Sequence, residues 1–150
     1  MKIRISVSEE KYCDVVSFME EHGIETVEED ADYILTETDR YPAFISVRND
    51  KKERVGLPVG DVTFIEAFGK DIEIHTTDQT FFTQERMYQL EELLDPQEFI
   101  RVSKSVIISR KHIKRIRPSL SMKFIVTLSG GTIVDVTRSY YNEFKRFFNI

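Results

Sequence analysis

The chain has 150 residues, of which 41% are hydrophobic, 31% charged and 11% aromatic, with a formal net charge of −5. A chain of this length buries about 68–70% of its unfolded surface and needs no disulfide or metal staple; its single cysteine, Cys13, can form no intramolecular disulfide. Apolar runs stop at three residues, as in Tyr33-Ile34-Leu35 and Val106-Ile107-Ile108, which excludes a transmembrane helix; the first ten residues lack the apolar core of a secretory signal, so the cytoplasm is the expected location.

Ile3, Ile5 and Val7 alternate with polar residues, the period-2 mark of a half-buried strand. Ser6 or Ser8 is placed to cap a helix whose first turn holds Glu9 and Glu10. Tyr12, Val15, Val16 and Met19 share one face of that helix, and Gly23 ends it. Cys13, one position from the apolar face, is expected to be buried or half-buried. Tyr33-Ile34-Leu35 and Ala43-Phe44-Ile45-Ser46-Val47 read as short buried strands, so the first 50 residues predict a small β-α-β-β unit. Asn49-Asp50-Lys51-Lys52 is a turn, and Gly56-Leu57-Pro58-Val59-Gly60 opens a new unit.

From there the pattern is β-rich. Residues 62–67 and 71–76 predict strands around the tight loop Phe68-Gly69-Lys70, and 80–83 a third. Residues 84–94 are helical, with Met87, Leu90, Leu93 and Leu94 on one face and Asp95-Pro96 closing the helix. Strands follow at 99–102, 106–109, 113–117, 122–128 and 132–137, the last two joined through Ser129-Gly130-Gly131. Tyr140, Phe144, Phe147 and Phe148 stand on a final short helix after Arg138-Ser139. Short strands at this spacing predict a mainly β fold with short helices, a sandwich or barrel. A small α/β N-terminal unit precedes it, and the expected division is 1–58 and 59–150.

Residues 1–60 hold 8 Lys+Arg against 14 Asp+Glu, a net of −6, while residues 61–150 hold 13 against 12, a net of +1. Between residues 99 and 134 eight basic residues (Arg101, Lys104, Arg110, Lys111, Lys114, Arg115, Arg117, Lys123) occur with no acid. Such sorting points either to a polyanion partner or to a solvated surface. The three histidines, His22, His75 and His112, are scattered and share no spacing with carboxylates that a metal site or triad requires. Gly130-Gly131 is hairpin chemistry and too short to cradle a phosphate. No cofactor and no enzyme chemistry are expected.

Lys104 and Ser105 fall at a strand-to-strand connection, where a cation and a hydroxyl on a firmly held loop suit phosphate or base-edge contacts. Arg138 follows a strand and precedes a helix, which holds its backbone on both sides, as a bidentate guanine contact needs. Starting the helix, or pairing with a carboxylate, is the other reading of Arg138.

Residues 59–150 resemble the LytTR family, the non-helical DNA-binding domain of bacterial response regulators of the AgrA and LytR types. Asp61-Val62-Thr63-Phe64-Ile65-Glu66-Ala67 is similar to the family's opening strand, and Leu90-Glu91-Glu92-Leu93-Leu94 to its helix. Phe99-Ile100-Arg101-Val102-Ser103-Lys104-Ser105-Val106-Ile107-Ile108 resembles the segment F-x-R-x-H-x-S-x-x-V-N. Ile113, Ile116, the Gly130-Gly131 hairpin and Val136-Thr137-Arg138-Ser139-Tyr140-Tyr141 complete the order, the last resembling V-S-R-x-Y.

The resemblance implies a ten-stranded β fold that reads double-stranded DNA through loops in two successive major grooves, bends it, and binds imperfect direct repeats in promoters. It implies a base-reading role for Arg138, a contact at Lys104 with Ser105 on a phosphate, and a third contact near Lys70-Asp71-Ile72. Ser103 stands where the motif carries His, and Asp71 and Ile72 where some members carry a donor, which bears on the target sequence. With the cations of the basic stretch, the DNA-binding candidates are Arg138, Lys104, Ser105, Lys70, Arg101, Ser103, Lys114 and Arg117. The first 58 residues are too few for a receiver domain, so phosphorylation is not the expected switch. Family members without a receiver are often gene neighbours of small membrane proteins that hold them in check, which implies such an inhibitor as a partner. Tandem sites imply a homodimer, at least on DNA, and the acidic N-terminal unit is a candidate for dimerisation or regulation. The expected function is sequence-specific transcription regulation; the alternative is a protein-interaction module whose basic face binds an acidic partner.

Overall fold

The alternation of Ile3 and Ile5 with charged neighbours yields β1 (Lys2–Ser6) in the computed structural model, which describes residues 1–38 and 40–150. It is the middle strand of a parallel sheet of order β2-β1-β3, with β2 at Glu25–Thr26 and β3 at Tyr33–Thr36. Parallel neighbours need a crossover, and α1 (Glu9–Glu21) supplies it. The Ser8 hydroxyl makes no capping bond. Instead the Ser8 N–H donates to the Glu37 carboxylate at 2.8 Å, and the same carboxylate pairs with Lys11 Nζ at 2.8 Å. Two residues separated by the whole crossover thus tie the start of α1 to the end of β3.

Met19 is buried and Val15 and Val16 are half-buried, so these three residues of the predicted face point inward, while Tyr12, the fourth, is exposed in the first turn. Cys13 is exposed, which corrects the expectation of burial; each residue turns about 100° around a helix, and Cys13 lies off the inward stripe. Gly23, at φ +69°, takes the left-handed conformation that ends the helix.

Contacts divide the chain into Met1–Tyr41 and Pro42–Ile150. The expected division at 58/59 is therefore corrected. Strand β4 (Phe44–Arg48) pairs along its length with β5 (Arg54–Pro58), and Arg48 pairs with Phe82 of β8 (Thr80–Thr83). Ile45, Val47 and Leu57 are buried in the core of the second unit, which explains the allegiance of the hairpin. The first unit is still β-α-β-β, with the two-residue β2 in place of the segment at 43–47.

The second unit continues with β6 (Phe64–Phe68), β7 (Asp71–His75), α2 (Met87–Leu93), β9 (Phe99–Ser103) and β10 (Val106–Ser109). Then come β11 (Ile113–Ser119), β12 (Lys123–Leu128), β13 (Ile133–Val136) and α3 (Tyr141–Phe148). Its ten strands form a seven-stranded sheet, β5-β4-β8-β7-β6-β10-β9, and a three-stranded sheet, β11-β12-β13. The mainly β fold with short helices is thus present, preceded by a small α/β unit.

Neighbouring residues of β6, β10 and β9 point to opposite faces, and both faces are buried. Ile65, Ile107 and Phe99 join Leu90 and Leu94 in one core, while Phe64, Ile108 and Ile100 join Val126, Val136 and Phe144 in another. That is why Val106-Ile107-Ile108 reads as an unbroken apolar run. Phe144 fixes α3 to β12 through a ring contact with Phe124 at 5.1 Å, and lies 4.7 Å from the ring of Phe148 on the same helix. No helix among the described residues is long and apolar enough to cross a membrane.

Candidate nucleic-acid interface

Three turns of the second unit meet at one end of its sheets. Phe68 pairs with Asp71, so β6 and β7 join through the two-residue turn Gly69-Lys70, with Gly69 at φ +59°. A glycine with positive φ at the first turn position matches the twist of a hairpin and leaves Lys70 exposed at the tip. Ser103 pairs with Val106, so Lys104 and Ser105 form the second turn. Antiparallel pairing of β6 with β10 brings this turn beside the first, where Ala67 N–H donates to Ser105 O at 2.8 Å. The third turn follows β13: Thr137 N–H and its hydroxyl donate to Val102 O at 2.9 and 3.3 Å, and Arg138 opens a single 3-10 turn.

The side chains at these turns divide into two kinds. Lys70, Lys104 and Arg138 are exposed, and no hydrogen bond or ion pair engages their side chains among the described residues. The carboxylate-pairing alternative for Arg138 therefore has no partner here. Arg101, by contrast, is half-buried and turned inward. Its Nε donates to Ser103 O at 3.1 Å, its Nη2 to Lys104 O, and its Nη1 to Glu91 of α2 at 2.8 Å. The Ser103 hydroxyl accepts from Ser105 N–H at 3.3 Å and lies 3.4 Å from the Ser105 hydroxyl. Arg101, Ser103 and Ser105 thus shape the turn that presents Lys104.

The remaining candidates lie on β11, an edge strand of the small sheet. Arg117, opposite Ile125, lies towards the three turns, whereas Lys114 follows Ile113, which pairs with Leu128 at the other end. Both are exposed. Phe68, exposed beside Lys70, has no counterpart in the sequence-derived set; its signal is a large aromatic residue directly before a turn.

The far end of the unit has the opposite character. A cleft of about 1000 Å³ between the β4–β5 and β7–β8 turns is lined by Asp50, Glu53, Asp61 and Asp78, with Lys51 and His112. Four carboxylates disfavour phosphates there. His112 is held by Gly60 O at 3.0 Å, and His75 pairs with Glu73 at 3.1 Å and stacks on Phe64, so both are engaged in structure. Among the described residues no cluster of His, Cys, Asp or Glu is arranged to hold a metal ion.

The LytTr DNA-binding domain family model matches residues 52–149. The chain belongs to the LytTR family. Among curated proteins it is 38% identical over 72 residues to the transcriptional regulatory protein LytR of Staphylococcus aureus, covering 48% of this chain and 29% of that one. It is 23% identical over 90 residues to the sensory transduction protein LytT of Bacillus subtilis, covering 60% and 37%. The chain thus matches little more than a third of these relatives at most. A solved LytTr DNA-binding domain from Bacillus cereus superposes with a TM-score of 0.68 at 24% identity, over 72% of this chain and 98% of that one. The family match begins inside the β4–β5 hairpin, and residues 59–150 alone are too few to make 72% of the chain. The LytTR fold here accordingly takes in that hairpin.

Proposed function

We propose that this LytTR chain is a sequence-specific transcription regulator that reads promoter direct repeats through loops in the major groove. The observation that carries the reading is the convergence of Lys70, Lys104 and Arg138, three unengaged cations on three braced turns at one end of the β unit. Arg138 reads a base, guanine by the geometry of its fork. Lys104 and Lys70 contact neighbouring base edges or phosphates, and Arg117 adds a phosphate contact from the flank. Arg101, Ser103 and Ser105 support Lys104 from within the turn.

Met1–Tyr41 holds 4 Lys+Arg against 12 Asp+Glu, a net of −8. A unit of that charge repels phosphates and lowers non-specific DNA binding, which sharpens discrimination between sites. Direct repeats call for two copies on one duplex, so a homodimer forms at least on DNA. The family resemblance adds a small membrane-protein inhibitor as partner, and the cytoplasm, expected from the sequence itself, is the proposed location.

The experiment is selection of bound duplexes from a random library by the wild-type chain and by Arg138→Ala. A repeated motif in the wild-type pool that blurs at one base in the variant supports the reading. Absence of a motif in both pools overturns it in favour of a basic face that binds an acidic protein.

A further inference from the structure

The β11–β12 hairpin carries a feature that neither the fold nor the three turns use. Ser119 pairs with Lys123, so the loop between them is Leu120-Ser121-Met122. Leu120 is fully exposed at 108% and Met122 is 49% exposed. Met122 also takes φ +55°, a left-handed position at the end of a three-residue hairpin loop where Gly or Asn fits without strain. The Ser121 N–H donates to the Ser119 hydroxyl at 3.4 Å, which holds the tip in shape. Two apolar side chains thus stand in water at positions where polar residues or glycine serve folding better. A strained, exposed apolar tip points to a contact made elsewhere.

Its location and charge name the partner. Phe124 pairs with Val136, and continuing that register sets Met122 opposite Arg138. The tip therefore projects from the same end of the unit as Lys70, Lys104 and Arg138. Arg117 and Lys123 flank it, both exposed and engaged by no ion pair among the described residues. The acid on that sheet face is Asp135, in register with Ile125.

We propose that this tip is a DNA contact of a different chemical kind. Leu120 and Met122 enter the minor groove against sugars and one base step, which they partly unstack, while Arg117 and Lys123 take the phosphates on either side. Apolar side chains gain nothing from phosphates, so insertion is the arrangement that buries them on a duplex. Pyrimidine–purine steps unstack most easily, so the selected site carries TA or CA/TG at a fixed offset from the base read by Arg138. The inference rests on the DNA-binding reading above.

The test compares wild type, Arg138→Ala and the double variant Leu120→Ser/Met122→Ser on the duplex selected by wild type. 2-Aminopurine is walked through the site to report unstacking, and dyes at the duplex ends report bending. The tip is exposed, so the double variant keeps the wild-type melting temperature. Wild type should brighten 2-aminopurine at one step and shorten the end-to-end distance. The double variant should lose both signals, bind about tenfold more weakly and relax the TA or CA/TG preference at that step, with the base read by Arg138 and the salt slope unchanged. Lys123→Ala should instead lower the salt slope by about 0.9. A double variant that binds and bends as wild type overturns the wedge while the DNA reading stands, as does a selected motif in which no step brightens. A wild-type chain that selects no motif and binds no duplex overturns both.

Discussion

Arg101 Nη1 donates to Glu91 Oε1 at 2.8 Å, linking the strand that leads into the Lys104 turn to helix α2. The rest of the guanidinium is spent on the carbonyls of Ser103 and Lys104. One planar fork therefore fixes both the turn and its angle to the helix, which a lysine with a single ammonium does not reproduce. Arg101→Ala should lower stability by about 1 kcal/mol, because hydrogen bonds to a half-exposed charged group are partly replaced by water. It should weaken specific DNA binding about tenfold by freeing Lys104, and Arg101→Lys should not restore it. Glu91→Gln keeps the acceptor and should cost at most ~0.5 kcal/mol. Binding isotherms with thermal melts of the three variants check this; a fully rescuing Arg101→Lys contradicts the fork.

Arg138 is exposed, and only its backbone is held, by the Thr137 N–H bond to Val102 O and by the 3-10 turn closed by the Tyr141 N–H on Arg138 O, with no bond to its side chain among the described residues. Arg138→Ala should therefore leave the melting temperature unchanged, while losing about 1–3 kcal/mol of specific binding and relaxing the choice at one base pair. Competition between matched and singly mismatched duplexes separates this from a phosphate contact, which would weaken all duplexes alike.

The sequence places Lys104 on a strand-to-strand connection and Lys114 only in the basic run, and the fold separates the two in space. Lys104 tips a turn beside Lys70, whereas Lys114 sits at the end of β11 remote from it. Lys104→Ala should alter the selected motif and lower the log–log salt slope by up to about 0.9. Lys114→Ala should keep the motif and change the slope by less. Equal effects of the two substitutions on motif and slope would contradict this division.

How much was legible in the sequence follows the same logic. Where apolar periodicity met turn chemistry, as in β8 and β10, the strand limits read from the sequence coincide with the structure. β5 escaped because Arg54-Val55-Gly56-Leu57-Pro58 carries a glycine and a proline, which mark loops; an edge strand tolerates both, since one of its sides needs no partner. β2 is two residues long and has no period to detect. The positions of Lys70, Lys104 and Arg138 on turns were readable from strand boundaries. That Arg101 faces inward was not, because composition records a charge and not the direction of its side chain. The apolar tip at Leu120 was hidden by its neighbours, since Met122 read as the start of a strand.

Phe144 is fully buried between Phe124 and Phe148 and holds α3 directly behind the Arg138 turn. Phe144→Ala should cost about 3–5 kcal/mol, through lost burial and the cavity left among rings that cannot collapse. Because that core also holds Val102 and Val136, the damage should reach DNA binding without any contact to DNA being removed. Phe144→Leu, which keeps most of the volume, should recover much of both.

The Lys11–Glu37 pair gives the N-terminal unit its own pH signature. The Lys11 ammonium and the Ser8 N–H hold the Glu37 carboxyl below its ordinary value, and Glu37 in turn raises Lys11 above its own. A depressed carboxyl contributes stability above its unfolded value of 4.5, and that contribution is lost as pH falls through the folded value. A raised ammonium contributes below 10.5 and loses that contribution as pH rises through its folded value. The pair should therefore stabilise the unit across the neutral range and release it first on the acid side. Glu37→Gln should flatten the acid limb of the stability profile for residues 1–41, read by NMR shifts of the Ser8 amide, while DNA binding at neutral pH keeps its motif. A wild-type acid limb in Glu37→Gln would assign the acid sensitivity to other carboxylates of the unit.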